Sequence, residues 1–238
     1  MIKSVITLLF IIAFTTVRAA DADSVFIYKI DFANRWIWRG MNFSETPAIQ
    51  PTFAYKKNKL KFTVWGSYGF GREKYEEIDL IADYDLFKGF NIGVIDYFGF
   101  RDTINDRQHF LNLRPRTTGH LLDGQIIYNL PGKVPLSFLW STWFWGADKN
   151  ETKEENNYSS YFEISYNKKI QSYRYGFLAG MTPWKGFYNK GLGIVNIGAK
   201  VGTDLHVTDR MKIPTEMALY VNPQTQNIYL TVTLTLTK

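Results

Sequence analysis

The sequence predicts an all-β protein: a single up-and-down antiparallel transmembrane β-barrel of about twelve strands, with about ten as the nearest alternative, behind a cleaved signal peptide. Three observations carry this expectation. Apolar and polar residues alternate with a period of two along nearly the whole chain after residue 23. The connections between the alternating segments are themselves alternately short and longer. Finally, aromatic residues make up 17% of the 238 residues, yet the mean hydropathy is −0.20. So many rings in a chain that is not hydrophobic on average must be segregated onto one face. That hydropathy excludes a protein of several membrane helices, and the aromatic content excludes a disordered chain.

The chain opens Met1-Ile2-Lys3, runs apolar from Val5 to Phe14, and leaves through small residues. A charged start, an apolar stretch of about ten residues and a small-x-small exit are the parts of a secretory signal. Val17-Arg18-Ala19 and Ala20-Asp21-Ala22 both fit the exit rule. The signal is therefore expected at 1–19, with cleavage as late as 22, and the barrel over 23–238. The apolar stretch is short of the ~20 residues a spanning helix needs.

In the first strand Phe26, Tyr28, Ile30, Phe32, Trp36 and Trp38 share one face, and Lys29, Asp31, Arg35 and Arg39 the other. Successive side chains of a strand point to opposite faces, so one face is greasy and the other charged. In the last strand Ile228, Leu230, Val232, Leu234 and Leu236 alternate with Tyr229, Thr231, Thr233, Thr235 and Thr237. The same reading places strands at 24–39, 47–56, 59–70, 75–87, 90–101, 120–130, 134–147, 158–168, 172–181, 191–207, 211–221 and 227–237. Within 90–101 the apolar row Phe90, Ile92, Val94 runs into Asp96, and a bulge near Val94 or Ile95 would turn Asp96 inward.

The short connections are Lys57-Asn58, Lys88-Gly89, Pro131-Gly132-Lys133, 169–171 and 208–210; the longer ones are 40–46, 71–74, 102–119, 148–157, 182–190 and 222–226. Outer-membrane barrels have short periplasmic turns and longer external loops, and an even strand number puts both termini on the periplasmic side. Trp36 and Trp38 would then close the outer end of the first strand, Trp140, Trp143 and Trp145 the outer end of the seventh, and Phe26 and Tyr28 an inner aromatic girdle. Loop 148–157, rich in charge, reads as solvated and external.

The polar faces define the candidate lumen. Lys29, Asp31, Arg35 and Arg39 come from the first strand and Glu77, Asp79, Asp83 and Asp85 from the fourth. Gln50, Thr52, Lys61, Thr63 and Ser67 lie between, and Glu163, Arg174, Lys200 and Glu216 extend the lining. Facing lipid at mid-depth would cost an Arg or Lys about 2–4 kcal/mol, which fixes the direction they face. Basic and acidic walls facing each other would set a transverse field that selects solutes; a packed set of internal ion pairs is the alternative.

The stretch Trp38-Arg39-Gly40-Met41-Asn42-Phe43-Ser44-Glu45-Thr46-Pro47-Ala48-Ile49-Gln50 resembles the opening of the TorF-type porins. In that family an Arg-Gly pair precedes a Ser and then a Pro-Ala-x-Gln stretch, matched here by Trp38, Arg39, Gly40, Ser44, Pro47, Ala48 and Gln50. Trp65-Gly66-Ser67 and Glu77-Ile78-Asp79-Leu80 extend the likeness, which covers residues 35–100. It implies a secreted outer-membrane barrel of poorly defined function. The ending Leu236-Thr237-Lys238 departs from the terminal aromatic residue of many such barrels.

Other function classes find little support. The chain has no cysteine, which removes disulfide frameworks, thiol catalysis and zinc ribbons. Lys3 and Arg18 supply two of the +6 net charge, and the remaining +4 is too scattered for nucleic acid. Of the histidines His109, His120 and His206, none has a Ser at motif spacing, and there is no G-x-S-x-G. His206 and Asp209 make two ligands where a metal site needs three or four. The expectation is thus a non-enzymatic barrel of the cell outer membrane, without cofactor or metal, in contact with outer-membrane lipids and passing small polar solutes through a narrow charged lumen. A non-conducting anchor or surface-contact barrel is the alternative, with a rim-active lipid hydrolase behind it.

Overall fold

The computed structural model describes residues 24–71, 75–101, 109–208 and 211–237, so the expected signal at 1–19 lies outside the described residues. The first barrel strand is β1 (Ser24–Ala33). A short hairpin of β2 (Trp36–Trp38) and β3 (Met41–Ser44) follows, then β4 (Ala48–Lys57), β5 (Leu60–Gly69), β6 (Tyr75–Phe87) and β7 (Phe90–Arg101). The chain continues through β8 (His120–Asn129), β9 (Leu136–Gly146), β10 (Ser160–Ile170) and β11 (Tyr173–Thr182). It finishes with β12 (Gly193–Thr208), β13 (Met211–Asn222) and β14 (Asn227–Thr237). Each barrel strand pairs antiparallel with its neighbours in sequence, and β1 closes the cylinder by pairing with β14 from Lys29↔Thr237 to Ala33↔Thr233. Twelve strands form the closed barrel and β2–β3 stands outside that ladder. Closure leaves no unpaired edge, which is what allows a sheet to stand in lipid.

Alternation sorts the faces as the residue pattern requires. Phe26, Tyr28, Ile30 and Phe32 are exposed on the outside of β1, while Asp31 is buried inside. Ile78, Leu80 and Tyr84 are exposed on β6, while Glu77 and Asp79 are buried. On β14 Ile228, Leu230, Leu234 and Leu236 are exposed and Thr231 is buried. The charged side is thus the inside of the cylinder and the greasy side its surface. The short turns use left-handed residues that tight reversals need: Asn58 at φ 53°, Gly89 at φ 80° and Gln171 at φ 54°.

The structure departs from the predicted elements in three places. The strand expected over 24–39 stops at Ala33. Asn34 ends it by capping the edge of β14: its side chain accepts from Val232 N at 2.8 Å and its backbone N donates to Val232 O at 3.1 Å. Past that cap the alternation restarts in a new direction, so Trp36 and Trp38 turn inward instead of joining Phe32 in an outer girdle. Secondly, β6 and β7 stay in register from Tyr75↔Arg101 to Asp85↔Asn91, so no bulge forms near Val94 or Ile95. Asp96 keeps the outward parity of Val94 because it finds a partner there, the Nδ1 of His120 at 2.9 Å. Thirdly, Trp143 is 3% exposed and points inward, while Trp140 on the opposite parity is 39% exposed.

Candidate functional site

The long-loop half of the lumen is built around the β2–β3 hairpin. Its turn is Arg39-Gly40, both left-handed at φ 49° and 77°, the two-residue geometry that matches strand twist. A side chain at Gly40 would collide with the Val195 carbonyl oxygen, so the tip can dock against β12 only as glycine. Asn222 of β13 donates to the Gly40 carbonyl oxygen at 3.1 Å. The Trp36 ring lies 5.3 Å from Trp65 on β5, and the Trp38 ring lies 5.5 Å from Tyr97 on β7 and 6.3 Å from Trp143 on β9. A single hairpin can meet strands on all these sides only from within the cylinder. The hairpin is therefore an internal plug.

Arg39 is the plug's centre. Its guanidinium lies 4.3 Å from the centre of the Trp38 ring and 4.7 Å from that of Tyr161, a cation between two aromatic faces. It donates to the Tyr188 hydroxyl and, at 3.4 Å, to Asp123. Asp123, with no exposed surface, also accepts from Ser141 Oγ at 2.6 Å, Gln125 Nε2 at 3.0 Å and Tyr97 OH at 3.1 Å. Burial pushes the Tyr188 phenol above its ordinary range, so it meets Arg39 as a neutral acceptor, and Asp123 is the carboxylate in ion-pair contact with the guanidinium. A second carboxylate arrangement sits beside this one. Tyr161 OH donates to Glu163 at 2.5 Å and accepts from Asn196 Nδ2 at 3.1 Å.

The predicted lumen residues divide between two environments. Arg39 is in the plug, not on the wall, and Arg35 lies at the plug's base with its Nε buried without a partner. Glu77 and Asp79 are buried on β6 facing the plug, with Tyr75 OH donating to Glu77 at 2.6 Å. The others line the short-turn half, where they form pairs: Lys29–Asp31 at 2.7 Å, Lys61–Asp83 at 3.0 Å and Lys56–Asp85 at 3.0 Å. Arg174–Asp204 at 2.7 Å and Lys200–Glu216 at 3.7 Å continue the series. Basic and acidic residues thus neutralise one another locally, within β1 for Lys29–Asp31 and between nearby strands for the rest. The expected walls of opposite sign facing each other across the lumen do not occur.

The residues of the stretch Trp38 to Gln50 fall together. Trp38, Arg39 and Gly40 make the hairpin tip; Ser44 Oγ donates to the Thr46 carbonyl oxygen at 3.0 Å, Pro47 accepts from Phe70 N at 2.8 Å, and Ala48 and Gln50 lead into β4. Gln50 reaches Ser67 at 3.4 Å. This stretch therefore encodes the plug and its return to the wall.

Residues that were not singled out complete the site: Tyr97, Asp123, Ser141, Tyr161 and Tyr188. Parity alone puts Asp123 inward between Leu121 and Gln125; Tyr188 sits in loop 183–192 and has no periodic signal. Loop 148–157 is exposed over 151–155, but Asp148 is buried and holds Ser159 through its backbone N and its hydroxyl, each at 2.8 Å. His109 and His206 are exposed. His120 is buried on the outward face, its Nδ1 on Asp96 and its Nε2 2.7 Å from the Phe110 carbonyl oxygen. Both ring nitrogens are committed, so neither is available as a base. Among the described residues no group of three or more His, Asp or Glu side chains could hold a metal ion.

No family model matches the chain, and no curated protein matches it.

Proposed function

We propose that this protein is an outer-membrane barrel that passes small polar solutes through a narrow lumen, with the β2–β3 hairpin as the internal constriction. The observation that carries this reading is the inside-out distribution of side chains: exposed aliphatic and aromatic residues around the cylinder, ion pairs and hydrogen-bonded carboxylates within it. Water penalises such a surface and a bilayer rewards it. The signal-like start at 1–19 supports export, and the likeness of residues 35–100 to the TorF-type porins supports the same placement. A barrel of twelve strands lies between those filled by side chains and those with wide aqueous channels. Here the hairpin fills the long-loop half, so selectivity lies with the hairpin rather than with barrel diameter.

The packed plug also favours a second reading, a non-conducting barrel that serves as an anchor or surface contact. Planar-bilayer recording separates the two. Removing residues 35–45 and bridging the gap with a short Gly-Ser linker should convert rare or small single-channel steps into large, frequent ones. A shortened barrel that folds, as judged by heat-modifiable mobility, yet remains silent would exclude the pore and leave the anchor.

A further inference from the structure

Near its long-loop end the outer wall of the barrel is covered. Phe98 on β7 and His120 on β8 are cross-strand partners with the outward parity of Val94 and Ile126. Val94 and Ile126 are 46% and 44% exposed, whereas Phe98 and His120 are 3% and 2% exposed. The loop that joins the two strands lies over them. The Phe110 ring is 5.2 Å from Phe98 and 5.0 Å from His120, and the Phe110 carbonyl oxygen is 2.7 Å from His120 Nε2. At Phe110 the loop is therefore seated against the outside of the wall, not across the mouth of the lumen.

The residues that follow are tied into a fixed shape and are amphipathic. Asn112 Nδ2 donates to the Thr117 carbonyl oxygen at 2.7 Å, and Asn112 N donates to the His109 carbonyl oxygen at 2.9 Å. Thr118 N closes the turn by donating to the Arg114 carbonyl oxygen at 2.9 Å. Held in this way, the segment projects Leu111, 87% exposed, and Leu113, 64% exposed, beside the exposed Arg114 and Arg116. Neither arginine has an ion-pair partner among the described residues. Loop 148–157 differs: it exposes Glu151, Glu154 and Glu155 around Lys153. Exposed leucines are costly in water, and guanidinium groups bind phosphate through paired, charge-assisted hydrogen bonds. On the outer wall of a membrane barrel both demands are met by one partner, a lipid with an acyl chain for the leucines and an anionic phosphate for the arginines.

We infer that residues 109–118 form a docking site for an anionic lipid phosphate, in which Leu111 and Leu113 enter the acyl layer and Arg114 and Arg116 bind the headgroup. The inference rests on the outer-membrane reading above and adds to it a lipid of stated charge at a stated place on the wall. Two guanidinium groups suit two phosphates, so the probe is diphosphoryl lipid A.

The test uses the full mature barrel folded in nonionic detergent, titrated with diphosphoryl lipid A and followed by native mass spectrometry. One retained lipid is expected, with the fully dephosphorylated form held at least about tenfold more weakly. Arg114→Gln and Arg116→Gln should each weaken binding about fivefold. The double variant Leu111→Ser, Leu113→Ser should weaken it about tenfold or more. Lys153→Gln, on the other exposed loop, should leave it unchanged. All these side chains are exposed, so heat-modifiable mobility should show each variant folded. Equal retention of the dephosphorylated form, wild-type affinity in both arginine variants, wild-type affinity in the leucine variant, or displacement by inorganic phosphate at the concentration of the lipid would each overturn the site. A barrel that inserts into phosphatidylcholine vesicles yet shows no preference for the phosphorylated lipid overturns this inference alone. A mature chain that stays folded and monomeric in buffer without detergent overturns the membrane reading and this site with it.

Discussion

The two halves of the lumen handle charge in opposite ways. In the long-loop half a single cation, Arg39, is removed from water, stacked between Trp38 and Tyr161, and matched to one carboxylate that itself accepts from three other side chains. In the short-turn half many charges remain partly wet and pair with near neighbours, across adjacent strands in Lys61–Asp83 and across β5 in Lys56–Asp85. Burial makes the first arrangement a rigid unit: moving the hairpin would break a desolvated ion pair, several hydrogen bonds and a set of ring contacts together. Exposure makes the second a lining of individually weak, exchangeable contacts. The proposed channel would use both, a constriction that holds its shape and a vestibule whose charges do not trap a solute.

The largest effect should come from Asp123→Ala. It leaves the Arg39 guanidinium buried without its ion-pair partner, and breaking a buried pair from one side costs about 3–5 kcal/mol. Unfolding of the detergent-folded barrel by denaturant should register that loss. The double variant Arg39→Leu, Asp123→Leu should recover part of it, because no charge is then left unmatched. If Asp123→Ala and the double variant are equally destabilised, the long-loop half is held by its rings and the contrast between the halves is not electrostatic.

How much of this contrast the residue pattern reveals depends on which structural rule governs each segment. The barrel is legible because closure imposes one rule on every strand. Ile78, Leu80 and Tyr84 face out and Glu77, Asp79 and Asp83 face in for the same reason, and the remaining strand ends lie within two residues of the alternation. The plug is not legible because period two has no way to mark a change of direction. Asn34 caps β14, the chain turns, and Trp36 resumes the parity it would have had in a continuous strand, so the tryptophans look like an outer girdle. The one local sign was Arg39-Gly40, a hairpin-turn pair in the middle of what read as strand and loop. Partners of the plug are harder still: Asp123, Tyr161 and Tyr188 meet Arg39 across sequence separations that only closure of the barrel brings together. Asp96 shows the converse. A carboxylate on the outward face looked like a reason for a bulge, and its partner His120 removed the need for one.

A smaller effect is expected from Gly40→Ala, which changes no charge. Alanine there must hold a left-handed backbone and push its methyl into the Val195 carbonyl oxygen. A strained position of this kind costs about 1–3 kcal/mol. The hairpin tip, not the barrel, should absorb it: the denaturation midpoint should fall modestly, while tryptophan fluorescence should report looser packing around Trp38. A variant with unaltered fluorescence and unaltered single-channel behaviour would mean that docking against β12 does not position the plug.

The smallest effect on stability belongs to the short-turn half. Lys61→Ala removes one member of a partly exposed pair and should cost no more than about 1 kcal/mol. Its consequence should appear in conduction instead. With Lys61 gone, Asp83 is left without its partner at 3.0 Å, and the vestibule gains a net negative charge. In the hairpin-deleted barrel, where the vestibule rather than the plug limits passage, the reversal potential under a salt gradient should shift toward greater cation selectivity, and the shift should shrink at high salt as the charge is screened. Intact barrels carrying the same substitution should shift far less, because there the constriction around Arg39 still sets the passage. Equal shifts in both backgrounds would place the selective element in the vestibule and make the plug a structural filler.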